Sequence, residues 1–80
     1  MRPSMFDLRL QRAQHSRRYS IVEAEPSGWQ VSVEEDLNLH RRNVYRDWHR
    51  VERALALFRL EVMNLRERGW EEVTQDDVSR

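Results

Sequence analysis

Between Trp48 and Arg68 apolar residues return every three or four positions. Val51, Leu55, Phe58, Val62 and Leu65 fall in one stripe at about 100° per residue, with Val44 in line ahead of them and Trp48 and Ala54 at the margins. No Gly or Pro interrupts the run, so the spacing predicts a helix roughly 31 Å long at about 1.5 Å per residue. Asp47 directly precedes it and is the expected N-cap. Its carboxylate can accept from the amides of His49 or Arg50, and its charge suits the positive end of the helix. Gly69 is the expected stop, because the position after a C-cap commonly needs φ > 0. Trp70 then stands where an apolar side chain folds back, here towards Leu65.

Upstream the period shortens to two. Tyr19, Ile21 and Glu23 alternate with Ser20, Val22 and Ala24, and Trp29, Val31 and Val33 alternate with Gln30, Ser32 and Glu34. Pro26-Ser27-Gly28 lies between the two runs and supplies turn chemistry, so the pair reads as a β-hairpin. Residues 35–46 read as a third strand entered by a turn near Glu35-Asp36. Leu37, Leu39 and Tyr45 share parity, while Asn38, Arg41, Arg42 and Asn43 make poor helix-core material. A helical alternative stands beside it, since Ser32-Val33-Glu34-Glu35 matches a capping box. It would place Val33, Leu37, Val44 and Val51 on one stripe of a much longer helix.

The first eighteen residues mix Met5, Phe6, Leu8 and Leu10 with five arginines and read as a flexible Arg-rich leader. Residues 71–80 read as an acidic tail. The expected fold class is α+β: a single ββ(β)α domain over residues 19–70, in which a small antiparallel two- or three-stranded meander packs on one long C-terminal helix.

Eighty residues make one domain. A core of that size supplies about 3–5 kcal/mol unless something adds buried surface. The absence of cysteine removes disulfides and thiolate metal sites, which leaves self-association as the common remedy. No apolar run reaches the length of a membrane span and no apolar targeting segment follows the first basic residues, so a soluble cytoplasmic protein is expected. The net charge of zero conceals blocks of alternating sign. Residues 1–18 carry +4, 19–36 carry −5, 37–59 carry +4 and 60–80 carry −3. Such blocks suit segments that compensate one another in a fold or dimer, and suit a uniform polyanion-binding surface less well.

The densest chemistry is "RDWHRVERALALF", residues 46–58. Asp47, Trp48, His49, Arg50 and Glu52 crowd together there, but each has a structural role at a helix start. His49 and Glu52 at i, i+3, even with His40 or Asp47, do not make a recognisable metal site. There is no cysteine nucleophile, no Ser on a Gly-flanked elbow and no phosphate-cradling loop. No enzyme, cofactor or small-molecule substrate is expected. Nucleic-acid binding has more support: Arg41, Arg42, Arg46, Arg50 and Arg53 are possible contacts, the last four forming a basic stripe if the helix begins before residue 42, with Trp29, Tyr45 or Trp48 available to stack on bases. The neutral total charge and the acidic hairpin count against it. All fourteen basic residues are Arg, so arginine as such singles out no site.

A second apolar strip lies opposite the first on the helix, formed by Ala56, Leu57, Leu60 and Met63. One small sheet covers only one side of a helix, and an exposed strip of this kind marks a contact surface. The candidate covers are a second copy, a different protein, or the leader's Met5, Phe6, Leu8 and Leu10. The functional expectation is a non-enzymatic protein-interaction module, self-associating as a homodimer through Leu57, Leu60 and Met63. A small nucleic-acid-binding protein is the alternative. A hairpin followed by a helix that ends in Gly69-Trp70 resembles the WGR domain in outline. The Trp-Gly-Arg triplet that names that family is absent, so no residue role carries over.

Overall fold

Phe6, Leu8 and Leu10 alternate with Asp7, Arg9 and Gln11, and in the computed structural model this segment is a strand. The structure describes residues 4–24 and 27–73. Its elements are β1 (Ser4–Arg12), β2 (His15–Glu23), β3 (Trp29–Glu35), β4 (Asn38–Tyr45), α1 (Trp48–Glu67) and the two-residue β5 (Glu71–Glu72). The strands pair antiparallel in one sheet of order β4-β3-β2-β1-β5. The fold is therefore α+β, but with a five-stranded sheet in place of the expected two- or three-stranded meander.

The extra strands come from the segment read as a leader. Residues 4–18 form β1 and the start of β2, because the apolar alternation of β1 matches that of β2. Phe6 faces Ile21 and Leu8 faces Tyr19 across the ladder. The start of the expected acidic tail is also ordered: Glu71 and Glu72 pair with Gln11 and Leu10, and the Val73 amide donates to the Arg9 carbonyl at 2.8 Å. Residues 74–80 of that tail, and residues 1–3 of the leader, lie outside the described residues.

Two turns fix the register. The β3–β4 connection is the two-residue loop Asp36-Leu37, with φ of 54° and 71°. Positive φ at both central positions gives the twist that a tight hairpin needs. Asp36 tolerates that geometry and is held in it. Its carboxylate accepts from the Ser16 amide at 2.9 Å and faces His15 Nδ1 at 3.2 Å, and its own amide donates to the Ser16 carbonyl. The Ser16 amide, followed by His15, keeps this carboxyl below its ordinary value. At the other end of the sheet a Cβ on Gly28 would stand 2.6 Å from the Tyr45 carbonyl oxygen, so only glycine lets the β2–β3 loop approach the end of β4 this closely.

The core forms where the two apolar periods meet. Leu10, Tyr19, Ile21, Val31 and Val33 come from the sheet, and Val51, Phe58 and Val62 from α1. The Phe58 ring lies 4.8 Å from Tyr19 and 6.3 Å from Phe6, centroid to centroid. Val44, expected on the helical stripe, is instead exposed in β4. The parity expected for β4 also fails. The ladder matches Val33 with Arg41 but Glu34 with Leu39, so His40 is an extra residue that forms a bulge. Beyond it Leu39 turns to the solvent-facing side, and the inward positions of β4 are Arg41, Asn43 and Tyr45.

Both helix ends have closed hydrogen bonding. Asp47 has φ −104° and ψ 120°, and its Oδ1 accepts from the His49 amide at 3.0 Å. At the far end the Gly69 amide donates to the Arg66 carbonyl and the Trp70 amide to the Leu65 carbonyl, with Gly69 at φ 100°. That is the Schellman pattern, and it folds Trp70 onto the edge of the core. Asp47→Ala is expected to lower stability by about 0.5–2 kcal/mol and Asp47→Asn by much less, measured by urea unfolding. Equal losses for both would show that the cap hydrogen bond is not what the carboxylate contributes.

Candidate functional site

The outer face of α1 is built by the same periodicity as its buried one. With Val51, Phe58 and Val62 turned to the sheet, Arg53, Ala56, Leu57, Leu60, Met63, Asn64 and Glu67 all turn to solvent. Leu57, Leu60 and Met63 remain 58, 54 and 53 % exposed. The described part of the leader does not cover them. Leu10 is buried in the core, Phe6 and Leu8 pack against it, and all three lie under the opposite side of the helix. Among the described residues, neither Arg53 nor Glu67 has an ion-pair partner.

A second feature arises because α1 does not reach across the whole sheet. The sheet's buried residues belong to β1, β2 and β3, whereas β4 is exposed along its length save for half-buried Tyr45. The uncovered inner side of β4 and the flank of α1 form a groove of about 320 Å³. Val31, Val33 and Phe58 make its floor. Asn43 and Tyr45 line the strand side, and Arg50 and Arg53 the helix side.

One end of the groove is closed by a polar relay that ties helix to sheet. Glu61 accepts from the Tyr19 hydroxyl at 3.0 Å and from Arg41 Nη2 at 3.1 and 3.2 Å. Arg17 donates to the Tyr19 oxygen and to Glu35. Burial raises the Tyr19 hydroxyl above its ordinary value, opposed by Arg17 and reinforced by Glu61, so it stays protonated and donates. The other end is fixed by aromatic packing. Trp48 meets Trp29 edge-on at 5.0 Å, and its indole N–H donates to Glu52 at 3.0 Å.

The five arginines considered for nucleic acid do not act as one surface. Arg41, Arg50 and Arg53 line the groove, but Arg41 is engaged by Glu61. Arg42 pairs across the ladder with Ser32 and so belongs to the opposite sheet face, and Arg46 lies beside Gly28 in the link to α1. His49 and Glu52 sit 3.7 Å apart at the exposed helix start, and among the described residues no three His, Asp or Glu side chains converge.

Sequence reasoning named Arg50, Arg53, Leu57 and, as a stacking aromatic, Tyr45, but missed Asn43 and Glu61. A signal for Asn43 existed: a polar residue in register with buried Val31 marks an inward strand position that nothing apolar covers. No helix among the described residues is long and apolar enough to cross a membrane. No protein-family model matches this chain, and no curated protein or solved structure matches it either.

Proposed function

We propose that this chain is a non-enzymatic interaction module that forms a homodimer through the outer face of α1. The observation that carries the reading is the order of residues about Leu60. At about 100° per residue, Arg53 and Glu67 lie about 20° to either side of it, Ala56 and Asn64 about 40°, and Leu57 and Met63 about 60°. A two-fold axis at Leu60 therefore sets two antiparallel helices face to face with every pair matched. Leu60 meets its own copy on the axis, while Leu57 and Met63, Ala56 and Asn64, and Arg53 and Glu67 of the two copies come to the same level on either side of the seam.

This is the self-complementarity that an isologous interface requires. The charged ends add direction, because a parallel pair would set Arg53 against Arg53 and Glu67 against Glu67. The strip is apolar at its centre and polar at its margins, as interfaces are. It also supplies the extra buried surface that an eighty-residue domain without disulfides lacks.

Nucleic-acid binding by Arg41, Arg42, Arg46, Arg50 and Arg53 is the competing reading, and dispersal of the guanidinium groups over two faces counts against it. A polyanion site gains affinity from many phosphate contacts at once. Sedimentation equilibrium over a range of concentrations, at two salt concentrations, with and without a single-stranded oligonucleotide, separates the readings. The expected result is a reversible monomer–dimer equilibrium unmoved by the oligonucleotide. A monomer up to roughly millimolar concentration rules the dimer out, and a salt-sensitive shift with the oligonucleotide supports its rival.

A further inference from the structure

We propose that the groove beside β4 is a strand-addition site for an extended acidic peptide segment of a partner protein. The inference goes beyond the helix dimer: the groove shares Arg53 and Leu57 with the outer helix face, but its strand wall and Arg50 are separate from it.

β4 is the edge strand of the sheet, eight residues long, and half of its backbone donors and acceptors point away from β3. At the opposite edge β5 pairs only with Leu10 and Gln11, so part of β1 is open there as well; β4 is singled out by the groove beside it. A peptide laid along β4 would complete its hydrogen bonding at the ordinary strand spacing of about 4.8 Å. Every second side chain of that peptide would point into the groove, over Val31, Val33 and Phe58. An edge bordered by an apolar-floored cavity under a helix flank has both things that strand addition uses: backbone valence for affinity and a pocket for selectivity.

The charge of the occupant follows from the guanidinium groups around it. Arg50 and Arg53 line the helix side, and neither has a carboxylate partner among the described residues. Arg53 borders the outer helix face, where the dimer proposed above gives it Glu67 of the second copy. Arg50 lies outside that contact and carries the assignment. On the other sheet face Arg42 flanks the same edge, so outward side chains of the peptide also meet positive charge. Carboxylates answer both, since Arg donates to them in bidentate geometry.

The same charges exclude a second copy at this edge. Residues 37–46 hold Arg41, Arg42 and Arg46 and no acid. Two β4 edges side by side would set like charges against one another. They also disfavour single-stranded nucleic acid, because Arg41 is neutralised by Glu61, Trp29 and Trp48 pack on each other, and the unpaired arginines are divided between two faces, which gives little polyanion affinity.

The test is fluorescence anisotropy with the full chain and a labelled, end-capped peptide of alternating Glu and Val. Three controls accompany it: the same peptide with Lys for Glu, the same peptide N-methylated at alternate residues, and an oligothymidylate. The acidic peptide is expected to bind saturably. The Lys and N-methyl versions should be weaker by about tenfold or more, and Arg50→Glu should weaken the acidic peptide by about tenfold or more, as loss of a charge-assisted hydrogen bond implies. Arg9→Glu, on the solvent-facing side of β1, should change it less than about twofold. Binding should persist in Leu60→Glu, so that failure of the dimer and failure of this site remain distinguishable. No saturable binding, or equal binding of the acidic and Lys peptides, overturns the proposal, as does equal binding of the N-methylated one. Tighter binding of the oligothymidylate, lost in Arg50→Glu, reassigns the groove to nucleic acid and overturns it too.

Discussion

Leu57→Glu combined with Leu60→Glu is expected to leave the chain monomeric at concentrations where the parent is dimeric, with unchanged sheet and helix content. Both side chains are more than half exposed in the single chain, so replacing them removes little from the monomer's own core. Glu is also a good helix former, and no cap or core position is touched. In the dimer each leucine would bury the surface it still exposes, worth roughly 1 kcal/mol apiece as about half of a full burial. Four leucines per dimer are lost and four carboxylates are brought together instead. The dissociation constant should rise by about a hundredfold or more. Thermal stability should then become independent of protein concentration, because linkage to assembly is gone. If the double variant associates as the parent does, the outer strip has no role in assembly.

Phe58→Ala is expected to have the larger effect on the fold itself. Phe58 is 4 % exposed and contacts Tyr19 and Phe6, rings from two different strands, so it is the main bridge between helix and sheet. Truncating a buried Phe costs about 3–5 kcal/mol. A domain of this size has a total of roughly 4–12 kcal/mol. Between about a quarter and all of the monomer's stability should disappear, seen as a large fall in the urea midpoint or loss of cooperative unfolding. A loss below about 1 kcal/mol would mean that α1 is not packed on the sheet through this residue.

The contrast between these two leucines and this phenylalanine is written in the chain. Val51, Phe58 and Val62 on one side of a 3.6-residue period and Leu57, Leu60 and Met63 on the other separate core from surface without coordinates. Asp47 and Gly69 mark the helix ends by the same local chemistry. The hairpin of β2 and β3 follows from the alternation of Tyr19, Ile21, Val31 and Val33.

β1 was less accessible for a physical reason. Phe6, Leu8 and Leu10 alternate cleanly, but five arginines and a position at the chain start favour a leader reading over a strand. Strand pairing with β2 decides the matter, and pairing is not a local property. The parity of β4 was hidden by the bulge at His40, where one added residue moves Leu39 to the opposite face. The groove could not be read at all, because it depends on how α1 sits beside β4, which no local pattern encodes. Glu61 likewise gains its role only when Tyr19 and Arg41, far apart in sequence, meet it.

Because the chain contains no cysteine, single introduced cysteines test the two-fold axis at Leu60 most directly. Antiparallel helices packed about 8–10 Å apart bring residues on the axis within the Cα separation that a disulfide accepts, about 4.4–6.8 Å. Under mild oxidation Leu60→Cys should cross-link readily to its own copy. Leu57→Cys alone and Met63→Cys alone should not, since each pair of equivalent positions is displaced by about 9 Å along the helices. An equimolar mixture of Leu57→Cys and Met63→Cys should give the heterodimeric product. Efficient self-linking of Leu57→Cys without formation of the mixed product would contradict the antiparallel pairing, and failure of Leu60→Cys to link at all would contradict the dimer.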